Sequence, residues 1–268
     1  MKIALHTTLL VAALALQSAV PAVAASVFKG LDLNPTDSVP LTVHPNADAA
    51  QANFIAALSG APTQQLDFEV LAAGSVPGTL SFNGALQASF TDFASYGSTI
   101  ESGIAQTIDL NAPPARIPFF GFPISGSMSL ASTTDAGESF WSMTFIQPLS
   151  ALGFYLTDPS DWIGSAGPLP PIQIEVATSS GTTVYSLLPD GTDAANVVNA
   201  SVGFFGVVDA SGITGITILN PASVPGRDGV AFDDFIAVTA VPEPQTWMTM
   251  LSALGLLGIR LKRRAAAS

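Results

Sequence analysis

Between Leu66 and Val238 the chain alternates apolar and polar residues in short runs, each closed by Gly, Pro, Asn or Asp. A period of two with such punctuation marks half-buried strands, because successive side chains on a strand point to opposite faces. The runs are 66–72, 78–82, 88–93, 106–110, 127–131, 139–146, 151–157, 172–177, 183–187, 202–208, 213–219 and 229–238, with Ser180-Gly181 as a hairpin turn between two of them. Their even spacing predicts an all-β fold, an antiparallel β-sandwich. Helical spacing occurs once, where Ala47, Ala49, Ala50, Phe54, Ala57 and Leu58 follow a capping Asn46 and precede Gly60. This predicts one short N-terminal helix over 46–58. Residues 26–46 read as irregular, and Asn111 to Pro123, with Arg116, Phe119, Phe120 and Phe122, as a long surface loop. Trp141, inside the run 139–146, belongs to the core.

The two ends depart from this pattern. Residues 1–25 carry one positive charge at Lys2, an apolar stretch from Leu9 to Leu16, Pro21, and small residues at Ala22, Ala24 and Ala25. This is the plan of a secretory signal peptide, cut by signal peptidase after Ala24 or Ala25. At the other end Val241-Pro242-Glu243-Pro244 precedes an apolar segment, 245–259, and the basic cluster Arg260, Lys262, Arg263 and Arg264. The segment reads as a short transmembrane helix whose basic end stays in the cytoplasm, so the chain runs outside to inside. Pro242 and Pro244 hold the residues before the membrane extended and unpaired, the form a protease reads. The expected organisation is therefore signal peptide 1–25, an N-terminal segment with the helix at 26–64, a β-sandwich at 65–240 and a tail at 241–264.

Pro-Glu-Pro motif, short apolar helix and basic cluster, in that order at the end of the chain, resemble the C-terminal sorting tail of PEP-CTERM proteins. The resemblance implies a Gram-negative envelope rich in exopolysaccharide, recognition of the tail by exosortase, and its removal, which makes the helix an address and a transient anchor. The alternative is an ordinary C-terminal membrane anchor. Two further patterns, Leu66-Asp67-Phe68-Glu69 and Asp228-Gly229-Val230-Ala231-Phe232-Asp233-Asp234-Phe235, resemble the first and last strands of exported jelly-roll domains. That resemblance implies that these strands lie side by side.

Charge narrows the function. The chain has 48% apolar and only 10% charged residues, and between residues 25 and 240 three basic residues, Lys29, Arg116 and Arg227, stand against nineteen acidic ones, a net charge of −16. Such a surface repels phosphate backbones, which excludes nucleic acid as a partner. The absence of Cys excludes disulfides, thiolate metal sites and cysteine nucleophiles. No Gly-x-Ser-x-Gly elbow, phosphate loop or dinucleotide fingerprint occurs, and His44 is the single histidine after the signal peptide. No motif selects a pair of carboxylates for glycoside hydrolysis. No catalytic residue is therefore assigned, and the chain is expected not to be an enzyme.

Two candidate sites stand out. If first and last strands adjoin, Asp67, Glu69, Asp228 and Asp234 converge, either around a structural calcium ion or as solvated edge carboxylates. Asp233 and Asp234 point to opposite faces of a regular strand, so only one enters the site, and Asp234 is the expected one. The second site is the acidic loop 158–164, where Trp162 offers either an exposed ring for a sugar, with Asp161 and Tyr155, or a cover for one end of the sandwich. The expected role is a non-enzymatic structural or adhesive one in an exopolysaccharide-rich envelope or biofilm, the alternative a lectin-like module, with glycoside hydrolase a third reading.

Overall fold

The computed structural model describes residues 25–36, 39–72, 75–82, 86–92, 95–96, 99–100, 102–106, 121–135, 137–159, 171–193, 196–221 and 227–240. Ala22 and Ala24, the loop residues Asp161 and Trp162, and the entire tail from Val241, with Pro242, Glu243, Pro244, Arg260, Lys262, Arg263 and Arg264, lie outside these. Among the described residues no helix is long and apolar enough to cross a membrane.

Two long strands, β9 (Ser139–Thr157) and β12 (Val202–Leu219), form the spine of an antiparallel sheet. Each spans two of the runs read separately in the sequence. Pro148 lies inside β9, where register shifts against β12 between Val208 and Ile213 and between Ile213 and Gly215 let the pair bend. Beside the first half of β12 lies β1 (Ser26–Asp32), and beside its second half β10 (Gln173–Thr178), which continues through the Ser179–Ser180 turn to β11 (Gly181–Ser186). On the far side of β9 run β4 (Gln87–Thr91), carrying β3 (Thr79–Ser81), and β13 (Arg227–Thr239). The outer edge of β13 is shared by β2 (Gln64–Leu66) and β8 (Met128–Asp135), which carries β7 (Ser102–Gln106). Ser95–Tyr96 and Thr99–Ile100, β5 and β6, form a separate pair. The chain is thus mostly β and antiparallel with one short helix, and the bent strands are consistent with a sandwich.

Strand alternation sends side chains into two cores. Leu152, Phe154, Leu156, Phe205, Val207, Phe232, Phe235 and Ala237 join Trp141 and Met143 in the larger one. Trp141 is fully buried as expected, with Phe232 edge-on at 5.0 Å, and Phe154 stacks on Phe235 at 4.9 Å. Ala151, Tyr155, Val202, Phe204, Ile236 and Val238 face the opposite way, onto α1 (Pro45–Ala57).

The first element corrects the reading of 26–46 as irregular and of 26–64 as a separate segment. β1 pairs residue for residue with β12, from Ser26 opposite Val208 to Asp32 opposite Val202, and α1 packs on the same sheet. The helix begins one residue before the expected cap, with Pro45 in its first turn and no side-chain cap from His44. Asp32 supplies the cap from β1 instead: its carboxylate accepts the N–H groups of Asn46 (3.0 Å) and Ala47 (2.9 Å). Gly30 permits this approach, since a Cβ there would stand 2.2 Å from the Asn46 carbonyl oxygen. The first and last strands of the sequence reading also adjoin, with Leu66 opposite Phe235, although β2 stops at Leu66 instead of continuing to residue 72.

Candidate functional site

Just past β2 the chain turns through Asp67 and Phe68, the latter with φ +62° and fully buried, so that the exposed Asp67 and Glu69 face the last strand. On β13 the register with β9 slips between Asp233 and Ile236, and Asp234 has φ +49°. This bulge removes the strict alternation on which the choice between the two aspartates rested. The correction is that both serve one site: Asp233 is buried, Asp234 is half-buried, and both hold the same segment, Phe122 to Met128.

That segment is fastened at Phe122, Ile124, Ser125, Ser127 and Met128. Thr157 on β9 accepts the Phe122 N–H (2.9 Å) and donates its hydroxyl to the Phe122 carbonyl (2.8 Å). Asp233 Oδ2 accepts the N–H groups of Ile124 (2.8 Å) and Ser125 (3.2 Å), while its Oδ1 accepts the Asp234 N–H (2.8 Å). The Ser125 hydroxyl donates to Asp234 Oδ1 at 2.6 Å. Glu69 Oε1 accepts the N–H groups of Ser127 and Met128, both at 2.7 Å, and Oε2 accepts the Ser127 hydroxyl at 3.1 Å. Gly126, at φ +61°, is required between them, because a Cβ there would meet the Glu69 carboxylate at 2.4 Å.

The electrostatics follow. Burial, and then the charge of Asp234, push the Asp233 carboxyl up to about 8 against the pull of its three backbone donors. Asp234 is also raised, by burial first and by the charges of Asp67 and Glu69. Glu69 is lowered, chiefly by the Ser127 N–H. Three of the four residues read as a calcium cluster, Asp67, Glu69 and Asp234, therefore do come within electrostatic reach of one another. The backbone of Asp228 is placed opposite Thr134 on β13, about 20 Å along the strand from Asp234 at ~3.4 Å per residue. Among the described residues no group of three or more His, Asp or Glu side chains is arranged to hold a metal ion. Backbone N–H and hydroxyl donors stand against these carboxylates, and the arrangement works as a staple closing the edge where β2, β8 and β13 meet.

Tyr155 is the described member of the second candidate site, and it is not exposed. Its ring packs edge-on against Phe204 and His44, at 5.2 and 5.6 Å. Its hydroxyl donates to Asp48 Oδ1 (2.7 Å), with Gln51 Oε1 3.2 Å away, and Asp48 is also 2.7 Å from His44 Nδ1. Burial, and then the Asp48 carboxylate, hold the phenol far above its ordinary range. Tyr155 thus ties β9 to α1 and offers no platform to a sugar. The sequence reading missed Asp32, Ser125 and Ser127 and set Asp233 aside; only the adjacency of Gly126 to two serines hinted at a tight, donor-rich turn.

The chain matches no curated protein. Among solved structures it is similar to the K2 cleaved adhesin domain of Lys-gingipain, with 12% identity, 68% of this chain and 99% of that one covered, and a TM-score of 0.39. Residues 240–264 match the PEP-CTERM protein-sorting motif, and a chain that carries this motif is by implication an exported, envelope-associated protein processed by an exosortase.

Proposed function

We propose that the exported domain is a non-enzymatic structural or adhesive component of an exopolysaccharide-rich envelope or matrix. The observation that carries this is the commitment of six titratable side chains among the described residues to the fold. Glu69, Asp233 and Asp234 hold the Phe122–Met128 segment, Asp32 caps α1, and His44 and Asp48 meet at Tyr155. The net charge of −16 between residues 25 and 240 keeps such domains apart in a crowded matrix. Signal peptidase reads the small residues Ala22, Ala24 and Ala25 and cuts after Ala24 or Ala25, and the 245–259 helix holds the chain in the inner membrane until exosortase removes it.

The lectin-like reading rests on Trp162 and Asp161 without Tyr155. Retention of the protein on its own host's exopolysaccharide, compared with Trp162→Ala, separates the two: unchanged retention agrees with a structural role, and loss of retention with a lectin. The sorting step has its own test. Glu243→Ala combined with Pro242→Ala is expected to leave the tail uncut and the protein in the inner-membrane fraction, where the unaltered chain reaches the outer envelope or medium. Equal release of both proteins contradicts this route.

A further inference from the structure

The sorting motif overlaps the folded domain. Its match begins at Ala240, and the Ala240 N–H donates to the Pro148 carbonyl at 2.9 Å. Immediately before it, Thr239 stands opposite Leu149 and Val238 opposite Ala151, while Ala237 is flanked on both sides, by Leu152 of β9 and Gln64 of β2. Ala237 and Val238 are buried, and the Ser150 hydroxyl reaches the Val238 carbonyl at 3.4 Å. From Ala240 to Pro242 the chain spans at most about 7 Å. A peptidase holds several residues on each side of its target in an extended, unpaired form, so no spacer separates the hydrogen-bonded sheet from the stretch it must grip.

We infer that the fold of the exported domain limits removal of its own sorting tail: the end of β13 has to fray from β9 and β2 before the exosortase engages the motif. This rests on the sorting route proposed above. Strand ends open locally at free energies well below that of global unfolding, and cleavage of such a segment follows the population of the open form. The direction of the coupling is set by the register. Ser26, Val208, Ala151 and Val238 form one cross-strand row, so the start of β1, next to the expected signal-peptide junction, lies three strands, or about 14 Å, from the end of β13. Both membrane-linked ends leave from one side of the sheet, and the domain can complete its pairing while the tail is still in place. Processing is then slow on the folded domain and fast on one whose last strand is loose.

The test is a pulse-chase of the full chain, with an epitope after Ser268, in cells that contain an exosortase. A six-residue Gly/Ser spacer between Ala240 and Val241 is expected to raise the rate of epitope loss about fivefold or more, as freeing a strand end by about 1 kcal/mol does. Thr239→Gly, which loosens β13 without lengthening it, is expected to raise it in the same direction, with the thermal midpoint measured alongside to show that the domain still folds. Equal rates in all three overturn the proposal. Acceleration by the spacer alone also overturns it, since the bulk of the domain near the membrane and not strand fraying then sets the rate. Pro242→Ala with Glu243→Ala isolates the underlying route: epitope loss that persists in this variant refutes sorting at the motif itself, whatever the spacer does.

Discussion

Phe54→Ala is expected to destabilise the protein by about 3–5 kcal/mol, the range for removing a fully buried aromatic ring. The ring is the main apolar link between α1 and the sheet. It lies 5.9 Å from Phe28 and 5.8 Å from Phe204, on strand positions where Gly153 and Gly206 have no side chains: a Cβ at Gly206 would stand 2.7 Å from Phe54 Cδ2. The two glycines make the hollow that the ring fills, so the converse change has a similar origin. Gly206→Val overfills the hollow and is expected to cost about 1–3 kcal/mol, as overpacking does. Both variants should lower the urea midpoint and loosen the helix. Because the two act on one contact, the double variant Phe54→Ala/Gly206→Val should lose less than the sum of the two singles. Additive losses would show that the ring and the glycine floor are independent.

The same packing explains why the strand beneath the helix was hidden in the sequence. On β1, Val27 and Leu31 pack toward the larger core, while Phe28 meets the helix-side core and Gly30 and Asp32 lie under the start of α1. A glycine and an aspartate at inward positions erase the alternation that marks a strand, because what they accommodate is a backbone and its free N–H groups and not another apolar side chain. Strands whose inward positions are Phe, Leu, Ile and Val, such as the two halves of β9 and β12, were legible at once. Their fusion into single bent strands was not, since the bulges near Pro148 and after Val208 are set by pairing across the sheet. The acidic site divides in the same way. The adjacency of Leu66 and Phe235 brought Glu69 to Asp234 as expected, but the partners of these carboxylates are mostly backbone N–H groups, which every residue carries and no sequence pattern displays. Clustered acids left a cation and solvent both open as partners, and the donors that meet them here belong to a loop.

The burial of Asp233 makes stability depend on pH in a direction opposite to the usual carboxylate case. Asp233 titrates near 3.8 when solvent-exposed and near 8 in the folded protein, so between these values the native state holds a proton that the unfolded chain has lost. A group raised on folding stabilises most below its unfolded value and loses that contribution as pH rises through the folded one. Stability should therefore fall from about pH 4 to about pH 8, with a slope of order 1 kcal/mol per pH unit where Asp233 alone differs. Asp234, raised by burial and by Asp67 and Glu69, acts in the same sense. Glu69, lowered by its three donors, acts in the opposite sense: its contribution is present above its ordinary 4.5 and is lost as pH falls below that, so it stays constant from pH 5 to pH 8. Asp233→Asn is expected to flatten the decline. The variant keeps a carbonyl oxygen for Ile124 and Ser125 but sets its amide against the Asp234 N–H, so its stability at any one pH will be lower, and the slope is the quantity that tests the assignment. Thermal midpoints from pH 5 to pH 8 read it directly: a steeper decline in the unaltered protein than in the variant identifies Asp233 as the proton-binding group, whereas parallel curves place the titration elsewhere. The consequence for the fold is that the staple between β13 and the Phe122–Met128 segment is tightest in mildly acidic surroundings, where Asp233 is uncharged beside Asp234.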